Sequence, residues 1–418
     1  MNFLNSTISP KFPYRDPFQY CIENSTRNFI QKKYGTFKTL NRKIFFNDMI
    51  KIEERCKLDA STPSGTSASS GPSSRLIRIE IRANGPRISL KSYPLEVVDE
   101  FTKKGDFRIK EGIVGPLLNC LRWANKNNID IPSKLEADIY FWIADKPSWD
   151  IDNLPIFIPS AIPPTMNLPL FPDISYFYYQ PSAKYAGKGL IWDETKKLFE
   201  GPNFSSDGDA ERSQDVLYFR GCDTTKFNSN IRGEISKCLG KYIDKKHLDI
   251  TVFNVNDTSK FRSLHEEGKG KMNFLELPGK FPWSNRIKML FLFEGSPNII
   301  KVNERWVASD GTWEDPEDPW IQWIDGFLPR NTYAEVMHTH TQVVKTDRRG
   351  CTKNLEIINK NAIEDTLESI ADVYNKRDEI HCDKELGHRI VTELTSDRIN
   401  QYLFRLILTM NHLNKDNS

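Results

Sequence analysis

The sequence lacks several features that would assign it to a common functional class. No apolar run reaches the roughly 18–20 residues of a membrane-spanning helix, so we expect no membrane span. Neither charge dominates, because 58 Lys and Arg residues stand against 56 Asp and Glu residues, a formal net charge of +2. This balance excludes a protein that binds nucleic acid by broad phosphate neutralisation, and we expect no nucleic-acid partner.

Cysteine is sparse and irregularly spaced. The seven cysteines never occur as Cys-x-x-Cys, which argues against a disulfide framework or a zinc knuckle and favours a reducing compartment. The first residues contain neither a basic stretch nor an apolar stretch, so we expect no classical signal peptide. Together these features predict a cytoplasmic protein.

Four common catalytic or nucleotide-binding motifs are missing from the sequence. It contains no Gly-x-Gly-x-x-Gly, no P-loop, no Gly-x-Ser-x-Gly and no His-Glu-x-x-His. Dehydrogenases, P-loop enzymes, hydrolases with a nucleophile elbow and zinc proteases therefore lose their usual sequence support.

The length of 418 residues suits two domains of about 200 residues each. We predict one α/β domain over residues 1–200, a second over 201–395 and a final helical segment over 396–418. Within the first domain, 61–74 is rich in Ser, Gly and Pro and predicts a flexible loop. The Gly-, Ser- and Asp-rich stretch 201–214 marks the expected boundary.

Apolar spacing predicts the secondary structure. Alternating isoleucines from Ile77 to Arg82, the turn Asn84-Gly85 and a second strand from Ile88 to Tyr93 predict a β-hairpin. A helix is predicted over 112–127, followed by a strand over 139–143 that is buried on both faces.

The rest of the chain first alternates between helix and strand and then becomes purely helical. Alternation in both halves predicts an α/β protein with two largely parallel sheets. The predicted helices are 232–246, 285–294, 361–374, 383–394 and 397–412, and the predicted strands are 247–255 and 298–302.

Asp145 follows the buried strand predicted over 139–143. Ligands of open α/β sheets bind beyond the carboxyl ends of strands, where a carboxylate can act as a general base toward an acceptor hydroxyl. The alternative is an Asp that caps the next turn, next to Pro147.

A second candidate site begins at Arg220-Gly221, at the end of a short predicted strand, and continues to Thr224 and Arg232. The guanidinium fork suits a diphosphate, glycine allows close approach of the backbone, and a helix N-terminus follows. The alternative is an ordinary strand end with a surface arginine.

A third candidate is Ser284, a good N-cap, with Arg286 in the first turn of an apolar helix. An arginine there favours an anionic partner, because the helix N-terminus already carries positive charge. The alternative is an arginine that pairs with an acidic neighbour or extends to solvent.

Two further patterns have weaker chemical implications. The acidic, aromatic stretch from Asp315 to Trp323 suits either sugar binding or core packing. His338 and His340 share one face of a strand, as zinc ligands can, but no further ligand lies at short spacing, so no metal is predicted.

Taken in order, these segments resemble glycosyltransferase family 90, which includes fungal capsule-associated xylosyltransferases and Rumi-type protein O-glucosyltransferases. The resemblance covers roughly residues 110–412 and is carried by order and spacing rather than by one motif. Members show a strand ending in Asp, an Arg-Gly strand end with a downstream Thr and Arg, and a Ser-x-Arg that opens a buried helix. The similar segments here are Tyr140–Pro147, Phe219–Arg232, Ser284–Ser296 and Trp320–Tyr333.

The resemblance implies a GT-B fold, in which two Rossmann-like domains face a cleft and the C-terminal helices pack back. The domain 1–200 would then lie on the acceptor side, the domain 201–395 would bind the nucleotide-sugar, and the helix 396–418 would return toward the N-terminal domain. It implies that Asp145 deprotonates the acceptor hydroxyl for inverting attack at the anomeric carbon. Arg220 and Arg286 would neutralise the donor diphosphate, and Thr224 and Ser284 would add hydrogen bonds.

The implied donor is UDP-xylose or UDP-glucose, with no metal required, and the implied acceptor is a hydroxyl of a glycan or glycoprotein. We expect a viral or microbial member that builds glycans inside the cell, in the host cytoplasm if it is viral. The oligomeric state is left open.

Two other functions stay open from the residues themselves. Cys222 stands where the family often has Ser, and Asp223 places an acidic residue beside the proposed diphosphate contacts. A catalytically inactive glycan- or nucleotide-binding module with a GT-B-like fold is therefore the main alternative. An epimerase-like enzyme would need a second acid or base opposite Asp145, and the sequence offers no obvious one.

Overall fold

A computed structural model of the chain describes most of the residues from 109 onward and a smaller part before them. The described residues are 48, 76–84, 87–93, 109–142, 155–158, 160–161, 169–181, 189–200, 215–223, 231–253, 263–279, 286–308, 321–326, 328–346, 352–358 and 362–414.

The described residues form strands and helices in both halves of the chain. The strands are β1 (Leu76–Asn84), β2 (Arg87–Tyr93), β3 (Lys134–Trp142), β4 (Ile156–Phe157), β5 (Ser160–Ala161), β6 (Leu217–Cys222), β7 (Leu248–Phe253), β8 (Asn273–Glu276), β9 (Asn298–Ala308), β10 (Ile321–Gln322), β11 (Ala334–Thr346) and β12 (Thr352–Ile358). The α-helices are α1 (Gly115–Lys126), α2 (Trp192–Phe199), α3 (Ile231–Cys238), α4 (Leu264–Glu267), α5 (Ile287–Leu290), α6 (Ala362–Asn375), α7 (Lys384–Glu393) and α8 (Ser396–Asn414).

The N-terminal sheet has the strand order β2-β1-β3-β4. The predicted hairpin is confirmed, since β1 and β2 pair antiparallel. The alternating isoleucines Ile77, Ile79 and Ile81 are all fully buried, as period-two spacing requires of a sheet with one core face. On the opposite face, Arg78 and Arg82 both contact the carboxylate of Asp138 on β3.

This first sheet is largely antiparallel, so the prediction of a largely parallel sheet in the N-terminal half is wrong. β1 lies between β2 and β3 and is antiparallel to both, and only the short β3–β4 pair is parallel. Burial on both faces, which the apolar run at the end of β3 predicts, does hold for Ile139 to Trp142. Both faces of a strand can thus be buried in a sheet that is mostly antiparallel, so the apolar run alone does not show the direction of the neighbouring strands.

The C-terminal sheet has the strand order β12-β11-β9-β8-β6-β7. Its first five strands in chain order are mutually parallel, and β12 joins the edge in antiparallel orientation. The chain moves outward from β6 to β7, then crosses back to β8 on the other side of β6. The order of strands therefore reverses between β6 and β8, which confirms an α/β fold and defines a topological switch point.

Two predicted helices are shorter in the structure. The helix predicted over 232–246 ends at Cys238, where a 3-10 turn follows, and Asp244 then accepts a hydrogen bond from the Lys246 N–H, a local bond that competes with helix continuation. The helix predicted over 285–294 is the single turn α5, and the positive φ angles of Gly295 and Ser296 close the segment after it.

Two apolar clusters cover the two faces of the parallel sheet. One cluster lies on the α3 and α6 side and includes Phe219 on β6. The other takes in Tyr218 of β6, continues through α5 and α7, and reaches the N-terminal sheet and α8. One continuous core therefore joins the two halves of the chain.

α8 packs against β3 and α1. The Glu136 N–H donates a hydrogen bond of 2.7 Å to the Asn411 side-chain oxygen, and the Tyr402 hydroxyl donates one of 2.9 Å to the Leu170 carbonyl. The final helix thus covers the N-terminal sheet, although it is separated from that sheet by the whole parallel sheet in sequence.

Candidate functional site

A cavity of about 350 Å³ opens at the carboxyl ends of β6 and β7, beside the switch point between β6 and β8. One side of its lining comes from β6, α3 and the start of α5, and the other side comes from the segment 175–181. The lining residues are Ser175, Tyr179, Gln180, Pro181, Tyr218, Arg220, Gly221, Cys222, Arg232, Phe253, Leu264, Arg286 and Met289. Three arginines and no acidic residue lie in this set.

The structure brings three of the sequence-predicted site residues to this cavity: Arg220, Gly221 and Arg286. Arg220 and Gly221 come from the end of β6, whereas Arg286 is the residue that precedes α5. Arg220 and Arg286 are 66 residues apart in sequence, yet the Arg286 guanidinium donates a hydrogen bond to the Arg220 carbonyl. The other three, Asp145, Thr224 and Ser284, lie outside the described residues.

Arg220 forms ion pairs with two acidic side chains, Glu267 and Asp249. Its Nε lies 2.7 Å from the Glu267 carboxylate and its Nη2 lies 3.6 Å from that of Asp249. Glu267 also accepts a hydrogen bond from the Tyr218 hydroxyl, and Lys271 lies 3.1 Å from Asp249. Arg220 therefore belongs to a network of charged side chains beside the cavity.

Arg286 has the acidic partner that an arginine at the start of a buried helix requires. Its Nη2 lies 3.2 Å from the Glu276 carboxylate, whose side chain is only 3% exposed at the end of β8. Its guanidinium also lies 4.6 Å from the centroid of the Phe219 ring. Carbonyl, carboxylate and aromatic contacts together orient this guanidinium at the cavity.

The second candidate site of the sequence ended at Arg232, and the structure places this residue in the cavity lining as well. It is 7% exposed and donates hydrogen bonds to the carbonyls of Cys222, Leu277 and Pro278, at 3.0, 3.2 and 2.7 Å. It thereby ties the loop after β6 to the loop after β8. Burial, together with the neighbouring Arg286 charge, lowers the pKa of Arg232 to about 10, so it remains a cation at neutral pH.

Gly221 is required by packing around these arginines. A Cβ at this position would lie 2.8 Å from Cζ of Phe219 and 3.2 Å from Nη1 of Arg232. The Arg-Gly pattern predicts a close approach of other atoms to the backbone. In the structure, the atoms that come close to Gly221 belong to Phe219 on β6 and to Arg232 on α3. The Phe219 ring lies close to both guanidinium groups, with its centroid 5.6 Å from the guanidinium carbon of Arg232 and 4.6 Å from that of Arg286.

Part of the cavity lining is apolar and aromatic. Tyr179, Pro181, Leu264 and Met289 supply this part. Burial raises the pKa of Tyr179 to about 12 and Arg286 partly offsets the rise, so the hydroxyl is neutral at physiological pH. This part of the lining was not predicted from the sequence; the run of aromatic residues from Tyr176 to Tyr179 could have indicated it, although spacing alone does not show which ring lines the cavity.

The thiol of Cys222 also lines the cavity. Burial raises its pKa, and the nearby charges of Arg232 and Arg286 oppose that rise. At neutral pH the thiol is therefore protonated. Asp223, the neighbouring acidic residue, donates its backbone N–H to the Phe253 carbonyl at 2.7 Å, which fixes its backbone between β6 and β7.

The structure also shows the surroundings of Trp323 and His338, which belong to the two weaker sequence patterns. Trp323 lies in the core, with its ring 5.2 Å from that of Tyr176 and 5.3 Å from that of Tyr402, which favours the packing interpretation for this residue. His338 is buried and its Nδ1 lies 2.7 Å from the Thr366 hydroxyl. Within the described part of the chain, no group of three His, Cys, Asp or Glu side chains is placed to hold a metal ion.

No protein-family model matches the sequence, and no curated protein matches it. Among the described residues, no helix is both long enough and apolar enough to cross a membrane. The geometry of the cavity is therefore the main observation from which a function can be inferred.

Proposed function

We propose that the chain is an inverting glycosyltransferase that moves xylose or glucose from a UDP-sugar to a hydroxyl of a glycan or glycoprotein. The observation that carries the proposal is the cavity at the switch point of the parallel sheet, lined by Arg220, Arg232 and Arg286 and by no acidic residue.

The charge of this cavity supports a diphosphate ligand. A UDP leaving group gains negative charge as the sugar departs, and fixed cations stabilise that charge. Guanidinium groups suit this role because their planar forks donate two parallel hydrogen bonds to phosphate oxygens. Arg286 already has its guanidinium oriented by Glu276 and Phe219, so little rearrangement is needed when a ligand enters.

The position and size of the cavity support a nucleotide. In open α/β sheets, ligands bind outside the carboxyl ends of the strands at the point where the strand order reverses, and the cavity lies there. Its volume of about 350 Å³ is at the small end of the range for small-molecule sites, about 300–1,000 Å³. Its apolar and aromatic residues, among them Tyr179 and Met289, offer a surface for the base or the sugar.

The remaining roles follow from the resemblance to glycosyltransferase family 90. Asp145 would remove the proton of the acceptor hydroxyl, and Thr224 and Ser284 would add hydrogen bonds to the donor. Gly221 would allow the backbone to approach the diphosphate closely. A GT-B arrangement of two Rossmann-like domains, a mechanism that needs no metal and a cytoplasmic location belong to the same proposal.

One observation favours a second candidate, a catalytically inactive module that binds a nucleotide or glycan. Arg220 is paired with Glu267 and Asp249, so these carboxylates would compete with a diphosphate for its guanidinium. Such a protein would hold the ligand through Arg232 and Arg286 without turnover.

The test is binding and hydrolysis of UDP-, GDP- and TDP-sugars by the purified protein, with and without EDTA. We expect slow release of UDP from one UDP-sugar, unchanged by EDTA, because the arginines supply the positive charge. Asp145→Asn should abolish transfer and keep UDP binding, since it removes a base and no phosphate contact. Binding without turnover for any donor and acceptor would support the inactive module, and no nucleotide binding would refute both candidates.

A further inference from the structure

The two sides of the cavity come from segments that lie far apart in sequence. Ser175 and Tyr179 belong to the segment 175–181 on one side, and Arg286 and Met289 belong to the start of α5 on the other. Any ligand that touches both sides needs their separation to be fixed.

A single carboxylate connects these two segments. One oxygen of Asp173, Oδ1, accepts hydrogen bonds from the backbone N–H and the hydroxyl of Ser175. The other oxygen, Oδ2, lies 2.6 Å from the Lys288 ammonium. Asp173 therefore binds a residue of one cavity side directly and the neighbour of Met289 on the other side.

The connection is fully enclosed. Lys288 has no exposed surface and Asp173 is 5% exposed, and the ammonium lies 4.4 Å from the centroid of the Tyr176 ring. Burial lowers the pKa of Lys288, while the charges of Asp173, Asp325 and Glu276 raise it. A protein with a buried ion pair is often no more stable than one with apolar side chains of equal volume at the same place. What this pair provides is directional contacts, from Asp173 to Ser175 and to Lys288.

We propose that Asp173 and Lys288 are positioning residues, here called the Asp173–Lys288 clamp, that hold the two sides of the cavity at the separation its ligand requires. The inference rests on the proposed function for the identity of the ligand, a UDP-sugar. The clamp itself is defined by the contacts of the ligand-free protein.

Alkylation of Cys222 by iodoacetamide reports on the clamp without any nucleotide, because this thiol lines the cavity. The half-buried thiols of Cys238 and Cys382 lie outside the cavity lining and serve as internal references. Rates at the three thiols are followed by peptide mass mapping in the wild-type protein and in Lys288→Met. We expect about tenfold faster alkylation of Cys222 alone in the variant, since the rate follows the population in which the cavity is open.

Two further variants separate positioning from general destabilisation. The double variant Asp173→Asn with Lys288→Met leaves no lone buried charge, and it should show the same selective rise if Lys288→Met alone does not fold. Leu406→Ala removes a buried core side chain on α8, and it should raise alkylation at all three thiols together. An unchanged Cys222 rate in the clamp variants, or a parallel rise at all three thiols, overturns the proposal.

The proposed ligand is tested separately in the same assay. UDP should slow alkylation of Cys222 in the wild-type protein, and the clamp variants should need about tenfold more UDP for equal protection. If UDP gives no protection in the wild type, the donor-site assignment fails, while the comparison of variants without UDP still decides whether the clamp exists. Equal UDP requirements in wild type and variants would show that the clamp does not position the ligand.

Discussion

Arg286 contacts a carboxylate, a carbonyl and an aromatic ring at once, through Glu276, Arg220 and Phe219. Each contact restricts a different motion of the guanidinium, and the cost of ordering this long side chain is thereby met during folding. A ligand that binds here then gains charged hydrogen bonds without ordering the arginine again.

We predict that Arg286→Ala weakens UDP binding by about 1.5–3 kcal/mol, the range for a hydrogen bond to a charged group. The substitution is best combined with Glu276→Gln, because Glu276 would otherwise remain as a lone buried carboxylate. Isothermal titration calorimetry gives the dissociation constants.

Arg330→Ala is the matched control for this measurement. Arg330 also pairs with a glutamate, Glu335, but its side chain is exposed and does not line the cavity. It should leave UDP affinity unchanged. The same dissociation constant in wild type and the Arg286 variant would remove Arg286 from the donor site.

Part of the candidate site could be predicted from single residues. The strand end at Arg220-Gly221 and the helix start at Arg286 are local patterns, and the structure places all three residues at one cavity. The contacts of Arg232 and Asp173 could not be predicted in this way. Two of the three carbonyls that Arg232 binds lie 45 and 46 residues away, and the Lys288 partner of Asp173 lies 115 residues away, so only the folded chain brings these groups together.

β6 contributes to the site from both of its faces. Phe219 points into the core and supports two guanidinium groups, whereas Tyr218 and Arg220 point to the opposite face and meet Glu267. This division follows from the period-two alternation of a strand. Gly221 lies on the same face of β6 as Phe219, and the neighbouring atoms leave no room there for a side chain.

We therefore predict that Gly221→Ala destabilises the protein by about 1–3 kcal/mol, because the added methyl group must displace Phe219 or Arg232. UDP affinity should fall as well, since Arg286 lies on the same ring. Urea unfolding and calorimetry measure the two effects.

Gly240→Ala tests whether any added methyl group has this effect. Its Cβ would lie 3.4 Å from the Lys245 side chain, an ordinary contact, so stability and UDP affinity should both be retained. Similar losses in both variants would contradict the packing explanation for Gly221.

Among the helices and strands, the sequence best predicts those whose residues contact near neighbours in the chain. The helical period predicts α6, α7 and α8 within a few residues, and the alternating isoleucines predict the β1–β2 hairpin. The neighbour of β3 was not predictable from the same patterns. β1 pairs with β3 across more than fifty residues, and this long-range choice makes the first sheet largely antiparallel.

On the scale of the whole molecule, α8 closes the N-terminal half. Its residues Leu403, Leu406, Ile407 and Met410 are almost completely buried, in the cluster that also contains the isoleucines of β1. The predicted boundary at 201–214 lies outside the described residues, and the core continues past it in sequence from β3 to α8.

We predict that a chain ending at residue 395 loses its cooperative thermal transition. Each large apolar side chain of α8 contributes about 1.5–3 kcal/mol through burial, and four of them together approach the total stability of a typical domain, about 5–15 kcal/mol. Circular dichroism during heating gives the transition. A chain ending at Asn414 keeps α8 whole and is the control, and a sharp transition in the shorter chain would contradict the assigned role of α8.

The contact between Glu136 and Asn411 also sets an order of events during synthesis. The two residues are 275 positions apart, so the ribosome must translate most of the protein after β3 before α8 exists. At about 5–20 residues per second, this interval lasts roughly a quarter of a minute to a minute. Throughout that time the apolar surface of β3 that α8 later covers lacks this cover, and a chaperone that binds apolar segments could occupy it.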